Sequence, residues 1–143
     1  MNKRRVLFLC THNSARSQMA EGFLRAMAAD RFEVASAGTE ATRVHPLAVR
    51  VMAEVGIDIS RHTSKVVDHL LQRPRDVLIT VCAEADERCP VVPGIAQRLH
   101  WPFEDPSRAR GTDEERLAVF RRVRDQIQDR IRRWIDDVHP VGS

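Results

Sequence analysis

Cys10-Thr11-His12-Asn13-Ser14-Ala15-Arg16-Ser17 places a cysteine and an arginine at the two ends of a short run of small or polar residues. A thiolate is a nucleophile, and a guanidinium grips two oxygens of a tetrahedral anion at once. A tight loop of small residues can turn its N–H groups inward, and a helix that opens behind it adds its positive end. The segment therefore reads as an anion cradle with a nucleophile at its base. Thr11, His12, Asn13, Ser14, Ala15 and Arg16 would surround the oxyanion, and the hydroxyl of Ser17 is close enough in sequence to donate to the Cys10 sulfur. The same positive groups favour the thiolate form. Asp105-Pro106 supplies a carboxyl group that can protonate a leaving oxygen or simply open a turn. Cys82 and Cys89 bring the cysteines to three. An odd number without C-x2-C spacing argues against both a secreted disulfide framework and a zinc site, so no bound metal or cofactor is expected.

These groups need a scaffold, and the pattern of the chain predicts one. Val6 to Cys10 is a continuous apolar run, as expected for a strand buried on both faces. From Arg16 the apolar residues Met19, Phe23, Leu24 and Met27 recur at helical spacing. Phe32 to Ala37 reads as a second strand closed by Gly38. His45-Pro46 opens a helix that runs to Val55 and ends at Gly56. Thr63 or Ser64 caps a short helix through Leu71. Asp76 to Cys82 is a third strand, Ala83 to Val92 is too polar for a core element, and Gln97 to Phe103 is a fourth strand. Thr112 and Glu115 form a capping box for a last helix, with Leu117, Phe120, Val123, Ile127, Ile131 and Trp134 on its inner face. Strands alternating with helices predict an α/β domain, a parallel sheet with helices on both faces. Its ligand crevice lies at the carboxyl ends of the strands. Cys10–Arg16, Cys82–Cys89 and Asp105 all fall at such ends.

The 143 residues suit one domain spanning 1–143. Basic residues number 23 against 20 acidic, for a net charge of +3. The signs are interspersed, so nucleic acid is not an expected partner. Only Lys3 and Lys65 are lysines among those basic residues; the rest are arginines. No apolar run reaches the roughly 18 residues of a membrane span. Lys3-Arg4-Arg5 followed by Val6–Cys10 mimics the start of a signal peptide, but its apolar stretch is too short. A cytoplasmic, monomeric protein without a membrane partner is the expectation.

The motifs together resemble the low-molecular-weight protein tyrosine phosphatases and the arsenate reductases that share their fold. The resemblance rests on Cys10-Thr11 with Asn13-Ser14 and Arg16 to Glu21, Ser36-Ala37-Gly38, Asp58-Ile59-Ser60, His62-Thr63-Ser64, Val81-Cys82, Cys89-Pro90 and Asp105-Pro106. It implies a three-layer fold of the phosphotyrosine protein phosphatase I type, with four parallel strands in the order 2-1-3-4. It also implies catalytic roles for Cys10, Arg16, Ser17 and Asp105.

Electron counting separates the two branches. Hydrolysis of a phosphate ester regenerates one cysteine unchanged. Reduction of arsenate to arsenite takes two electrons, which a pair of thiols supplies on becoming a disulfide. In the implied strand order the strands ending in Cys10 and Cys82 are neighbours, about 4.8 Å apart, within the span of a disulfide. Cys82 and Cys89 would lie about 10 Å apart along a helix, so they can bridge only if that polar segment unwinds. The resemblance to thioredoxin-coupled reductases implies a relay. Cys10 attacks arsenate, Cys82 attacks the Cys10 adduct, and Cys89 then attacks Cys82, leaving a disulfide for thioredoxin, itself reduced at the expense of NADPH. The lack of any tyrosine, with Ser107-Arg108-Ala109-Arg110 after Asp105-Pro106, speaks against a phosphatase that flanks an aryl ring with aromatic residues.

Three positions depart from the pattern. His12 stands where the loop usually has glycine, Ala15 where many relatives have cysteine, and Lys65 where some reductases have an aspartate. In those reductases the aspartate joins residues matching Asn13, Glu21 and Ser36 around potassium. A lysine ammonium can take the cation's place there, or Lys65 can be a solvated surface residue. His62 belongs to the same neighbourhood as a hydrogen-bonding spacer. Arsenate reduction is the leading reading, phosphomonoester hydrolysis through a Cys10 phosphoenzyme the alternative, and a non-catalytic oxyanion-binding module a third.

Overall fold

The run Val6–Cys10 is apolar throughout because it lies in the middle of a sheet whose two faces are both dry. The computed structural model describes residues 4–10, 14–38, 43–63, 75–81 and 95–138. Within them the chain forms β1 (Arg4–Cys10), α1 (Arg16–Ala28), β2 (Phe32–Gly38), α2 (Pro46–Glu54), β3 (Arg75–Thr80), β4 (Ile95–His100), a 3₁₀ turn (Pro106–Arg108) and α3 (Asp113–Asp137). The four strands are parallel and ordered β2-β1-β3-β4. This is the expected order. The expected short helix from Thr63 or Ser64 to Leu71 falls almost wholly outside the described residues, as does the segment from Cys82 to Val92.

The pleat sorts β1 between two cores. Val6, Phe8 and Cys10 join Val34, Val77 and Ile79 on one face, where all three described helices pack. Leu7 and Leu9 join Ala37 and Leu78 on the other, which is equally buried. α3 buries Leu117, Phe120, Val123, Ile127, Ile131 and Trp134, the whole stripe read from its periodicity. Its capping box is formed: Thr112 Oγ1 accepts from the Glu115 N–H, and Glu115 Oε1 accepts from the Thr112 N–H, each at 3.2 Å. Arg124 is buried on this helix and donates to the Val51 carbonyl at 3.0 Å and to Glu54 at 2.7 Å, which fixes the end of α2 against α3.

α2 ends in a Schellman motif. Gly56 has φ +82°, its N–H bonds to the Ala53 carbonyl, and the Ile57 N–H bonds to the Met52 carbonyl, each at 3.0 Å. The turn presses Met52 and Ile57, with Ile59 beyond it, onto Gly22 of α1. A Cβ at Gly22 would lie 2.9 Å from Ile59 Cγ2, so only glycine permits this approach. The closeness brings the segment ending in His62 and Thr63 alongside the first turns of α1, where both meet Gln18.

The limits of three strands differ from the sequence expectation, and β1 begins at Arg4 rather than Val6. β4 covers Ile95–His100 rather than Gln97–Phe103. The Trp101 N–H still bonds to the Thr80 carbonyl at 2.8 Å and the Phe103 N–H reaches the Val81 carbonyl at 3.5 Å, so backbone contact with β3 runs on in looser form past the regular strand. β3 starts at Arg75, one residue before expected, because Arg75 pairs with Ile95. It ends as a strand at Thr80, although the Val81 N–H continues to the Leu9 carbonyl at 2.9 Å.

Candidate active site

The carboxyl ends of β1, β3 and β4 meet at Arg16. Cys10, the last residue of β1, is 2% exposed and carries a free thiol. Its Sγ lies 2.9 Å from the hydroxyl of Ser17, itself fully buried in the first turn of α1. When the sulfur is ionised it can only accept, so the Ser17 O–H donates to it. Ala15 occupies the N-cap of α1 and supplies no side-chain acceptor. A helix start that would ordinarily be closed by a serine or aspartate thus keeps its N–H donors for an outside anion, beside the nucleophile.

Arg16 is 2% exposed. Its Nη1 donates to the Phe103 carbonyl at 3.2 Å and to the Val81 carbonyl at 3.4 Å, and its Nη2 lies 3.4 Å from Asp105 Oδ2. The guanidinium plane is therefore set by the ends of two strands, not by its own helix. Asp105 divides its two oxygens. Oδ1 accepts from the Ser107 N–H at 3.0 Å and the Ser107 hydroxyl at 2.6 Å, the bonds of an Asx turn. Oδ2 faces Arg16 across a small recess lined by Cys10, Ser14, Ala15, Arg16, Asp105 and Ser107. The turn role and the chemical role weighed for Asp105 are compatible, because each uses a different oxygen.

Of the residues read from the sequence, Cys10, Ser14, Ala15, Arg16, Ser17 and Asp105 come together at this recess. Thr11, His12, Asn13, Cys82 and Cys89 lie outside the described residues. Lys65 does too, so of the cation-site set Asn13 and Lys65 are both outside, while Glu21, Ser36 and His62 converge. Glu21 is 4% exposed; it accepts from the Ser36 hydroxyl at 2.5 Å and pairs with Arg25 at 2.7 Å. His62 Nδ1 bonds to Gln18 Oε1 at 3.0 Å, while the Gln18 amide donates to the Thr63 carbonyl at 2.9 Å. Arg25 Nη1 also reaches His62 Nε2, at 3.3 Å. With Arg25 donating to Nε2, the ring proton sits on Nδ1.

Several participants escaped the sequence reading. Arg25 was legible as the i+4 partner of Glu21 on a helix. Ser107 was legible as the residue an Asx turn from Asp105 would use. His45 had a signal in its position before the first-turn proline of a helix. Its Nδ1 accepts the Leu47 N–H at 3.1 Å, capping α2, and its own N–H bonds to the Ser14 carbonyl at 3.0 Å. Burial, then the neighbouring Arg116 guanidinium, hold the His45 pKa below its ordinary value against the opposing pull of Asp105. A neutral ring is what an acceptor Nδ1 requires. The carbonyls of Val81 and Phe103 left no mark in the sequence.

Among the described residues, no helix is long and apolar enough to cross a membrane. The family profile for low molecular weight phosphotyrosine protein phosphatase matches residues 5–141. The chain is 50% identical over 136 residues to an arsenate reductase of Halalkalibacterium halodurans, covering 95% of this chain and 98% of that one. A solved arsenate reductase in a phosphate-binding state superposes with a TM-score of 0.80 at 38% identity, over 94% of this chain and 98% of the other. A thioredoxin-dependent arsenate reductase of Corynebacterium glutamicum superposes with a TM-score of 0.71 at 29% identity, over 95% of this chain and 62% of that longer one. A buried cysteine and arginine framing a strand–loop–helix turn, an Asp-Pro carboxyl opposite, and matches over nearly the whole length place this chain in the low molecular weight phosphotyrosine protein phosphatase family.

Proposed function

We propose that the protein reduces arsenate to arsenite by a three-cysteine relay regenerated by thioredoxin. The observation that carries the reading is the recess in which the Ser17 hydroxyl meets Cys10 Sγ while Arg16 and Asp105 face each other across the opening. Such an arrangement binds a tetrahedral oxyanion, attacks its central atom and protonates an oxygen that leaves. The arsenate reductases similar to this chain over almost its full length support arsenate as the oxyanion, and the thioredoxin-dependent neighbour supports the reductant.

Each step balances. The Cys10 thiolate attacks arsenic, and one arsenate oxygen leaves as water with a proton from Asp105. The Cys82 thiolate then attacks the Cys10 sulfur. The electron pair of the sulfur–arsenic bond goes to arsenic, arsenite departs, and a Cys10–Cys82 disulfide remains. Attack by Cys89 on Cys82 restores the Cys10 thiolate and leaves a Cys82–Cys89 disulfide, which the thioredoxin dithiol reduces, drawing electrons ultimately from NADPH. No bound cofactor enters. A second reading has its own support, because Cys10, Arg16 and Asp105 suffice to cleave a phosphomonoester: the sulfur takes the phosphoryl group, Asp105 protonates the ester oxygen, and water releases phosphate.

The test is arsenate-dependent NADPH consumption with thioredoxin and thioredoxin reductase, run beside hydrolysis of p-nitrophenyl phosphate. Cys10→Ser should abolish both. Cys82→Ser and Cys89→Ser should abolish the first and leave the second measurable. Turnover of arsenate with thioredoxin by Cys82→Ser would overturn the relay.

A further inference from the structure

An inorganic oxyanion needs only the recess around Cys10, yet a larger cleft adjoins it. Ser14 lines both. Beyond it, Arg43, His45, Pro46, Leu47 and Arg116 enclose about 470 Å³, a size that suits an organic ligand. Pro46 and Leu47 give the cleft an apolar side. The polar groups among its described lining residues are all able to donate: the Ser14 hydroxyl, two guanidiniums, and His45. The imidazole spends Nδ1 on the Leu47 N–H, so the neutral ring carries its proton on Nε2. No carboxylate is among the described lining residues.

Of the arginines of α3, Arg121, Arg122, Arg124 and Arg133 each have a carboxylate partner. Arg130 and Arg132 lack a carboxylate partner among the described residues but are exposed. Arg116 also lacks one among the described residues, and it is partly buried. A guanidinium kept partly from water without a counter-ion favours an anion from outside.

We propose that this cleft is a second anion subsite, which makes the site selective for phosphomonoesters whose organic group carries a second negative charge. The phosphoryl group sits in the recess at Cys10 and Arg16, the organic group lies along Pro46 and Leu47, and the second anion meets Arg116 and Arg43. The assignment rests on the reading of the Cys10 loop as an oxyanion site and adds to it the chemistry of the group attached.

Phosphonates test it without turnover. Benzylphosphonate, 3- and 4-carboxybenzylphosphonate, and the two matching carboxamides are titrated calorimetrically into the full chain at constant ionic strength. At least one carboxylate should bind about tenfold more tightly than its carboxamide, the order expected of a partly desolvated charge pair. In Arg116→Gln that ratio should fall to about one. A ratio near one in the unaltered chain, or a preference that persists in both Arg116→Gln and Arg43→Gln, overturns the subsite. If benzylphosphonate binds and the carboxylates gain nothing, only the subsite is refuted. If none of the phosphonates binds at millimolar concentration, the oxyanion reading falls with it.

Discussion

Arg16→Lys is the substitution on which the geometry makes its firmest demand. The guanidinium is buried, and its partners include the Phe103 carbonyl at 3.2 Å, the Val81 carbonyl at 3.4 Å and Asp105 Oδ2 at 3.4 Å. A lysine keeps the charge but carries one nitrogen, which cannot reach both carbonyls and still pair with Asp105. A hydrogen bond from a charged group contributes about 1.5–3 kcal/mol, and the distances here are long, so the lower end applies to each bond lost. One to two lost bonds predict a stability decrease of about 2–3 kcal/mol, or about 1 M in the urea midpoint. The folded state should survive, since domains of this size have about 5–15 kcal/mol in hand. Phosphate loses the two-pronged grip of the fork, and one such bond corresponds to a dissociation constant raised roughly 10- to 150-fold. Urea melts and calorimetric phosphate titration read the two effects separately. A destabilised variant with phosphate affinity within twofold of the parent would make Arg16 a strut between β3 and β4 and would refute the oxyanion assignment. Unchanged stability and affinity together would refute the geometry itself.

Asp105→Asn should slow hydrolysis of p-nitrophenyl phosphate about 100-fold or more by removing the proton donor, while phosphate still binds; an unchanged rate would reduce Asp105 to the turn it makes with Ser107. Ser17→Ala should lower the rate of Cys10 alkylation by iodoacetamide at pH 7 by about tenfold, because the ionised sulfur loses a buried donor; an equal rate would show that the 2.9 Å contact does not favour the thiolate. With Arg25 already on Glu21, and Lys65 in place of the aspartate, melting temperature and reductase rate should not distinguish potassium from sodium at constant ionic strength. Lys65→Asp should introduce a melting temperature that rises with potassium, and selective stabilisation of the unaltered chain by potassium would overturn the ammonium reading. Hydrogen bonding from Arg121, with further help from Arg124, holds Glu54 at about 2, against an ordinary value of 4.5. A depressed folded value stabilises above the ordinary one and is lost as pH falls from about 4.5 toward 2. The melting-temperature gap between the unaltered chain and Glu54→Gln should therefore be widest at pH 6 and narrow by pH 2.5, and a constant gap would sink that linkage.

The parts of this site that were legible in the sequence are those fixed within one or two turns of chain. Cys10 and Ser17 meet because a strand, a short loop and a helix leave little choice. Thr112 and Glu115 close their box because the helix geometry sets their separation, and the inner stripe of α3 follows from its period. The strand order was a different matter, since periodicity alone does not order parallel strands and the resemblance supplied it. β4 was placed too late because its apolar residues run on to Trp101 and Phe103. Burial there comes from the core around Trp134, while regular pairing ends at His100 and only a long bond from the Phe103 N–H to the Val81 carbonyl follows, so the hydrophobic pattern outruns the ladder.

The partners of Arg16 show why the remainder was hidden. The motif predicts a guanidinium aimed at an oxyanion and is silent on what holds it there. A parallel sheet sets the carboxyl ends of β1, β3 and β4 side by side, so the backbone just past each strand, at Val81 and Phe103, delivers carbonyls to the same point. Any residues at those two positions would offer the same oxygens, which is why no side chain announces them. The chemistry is written in residue types, but its rigidity comes from backbone groups that the topology brings within reach, and Arg16 is where the two meet.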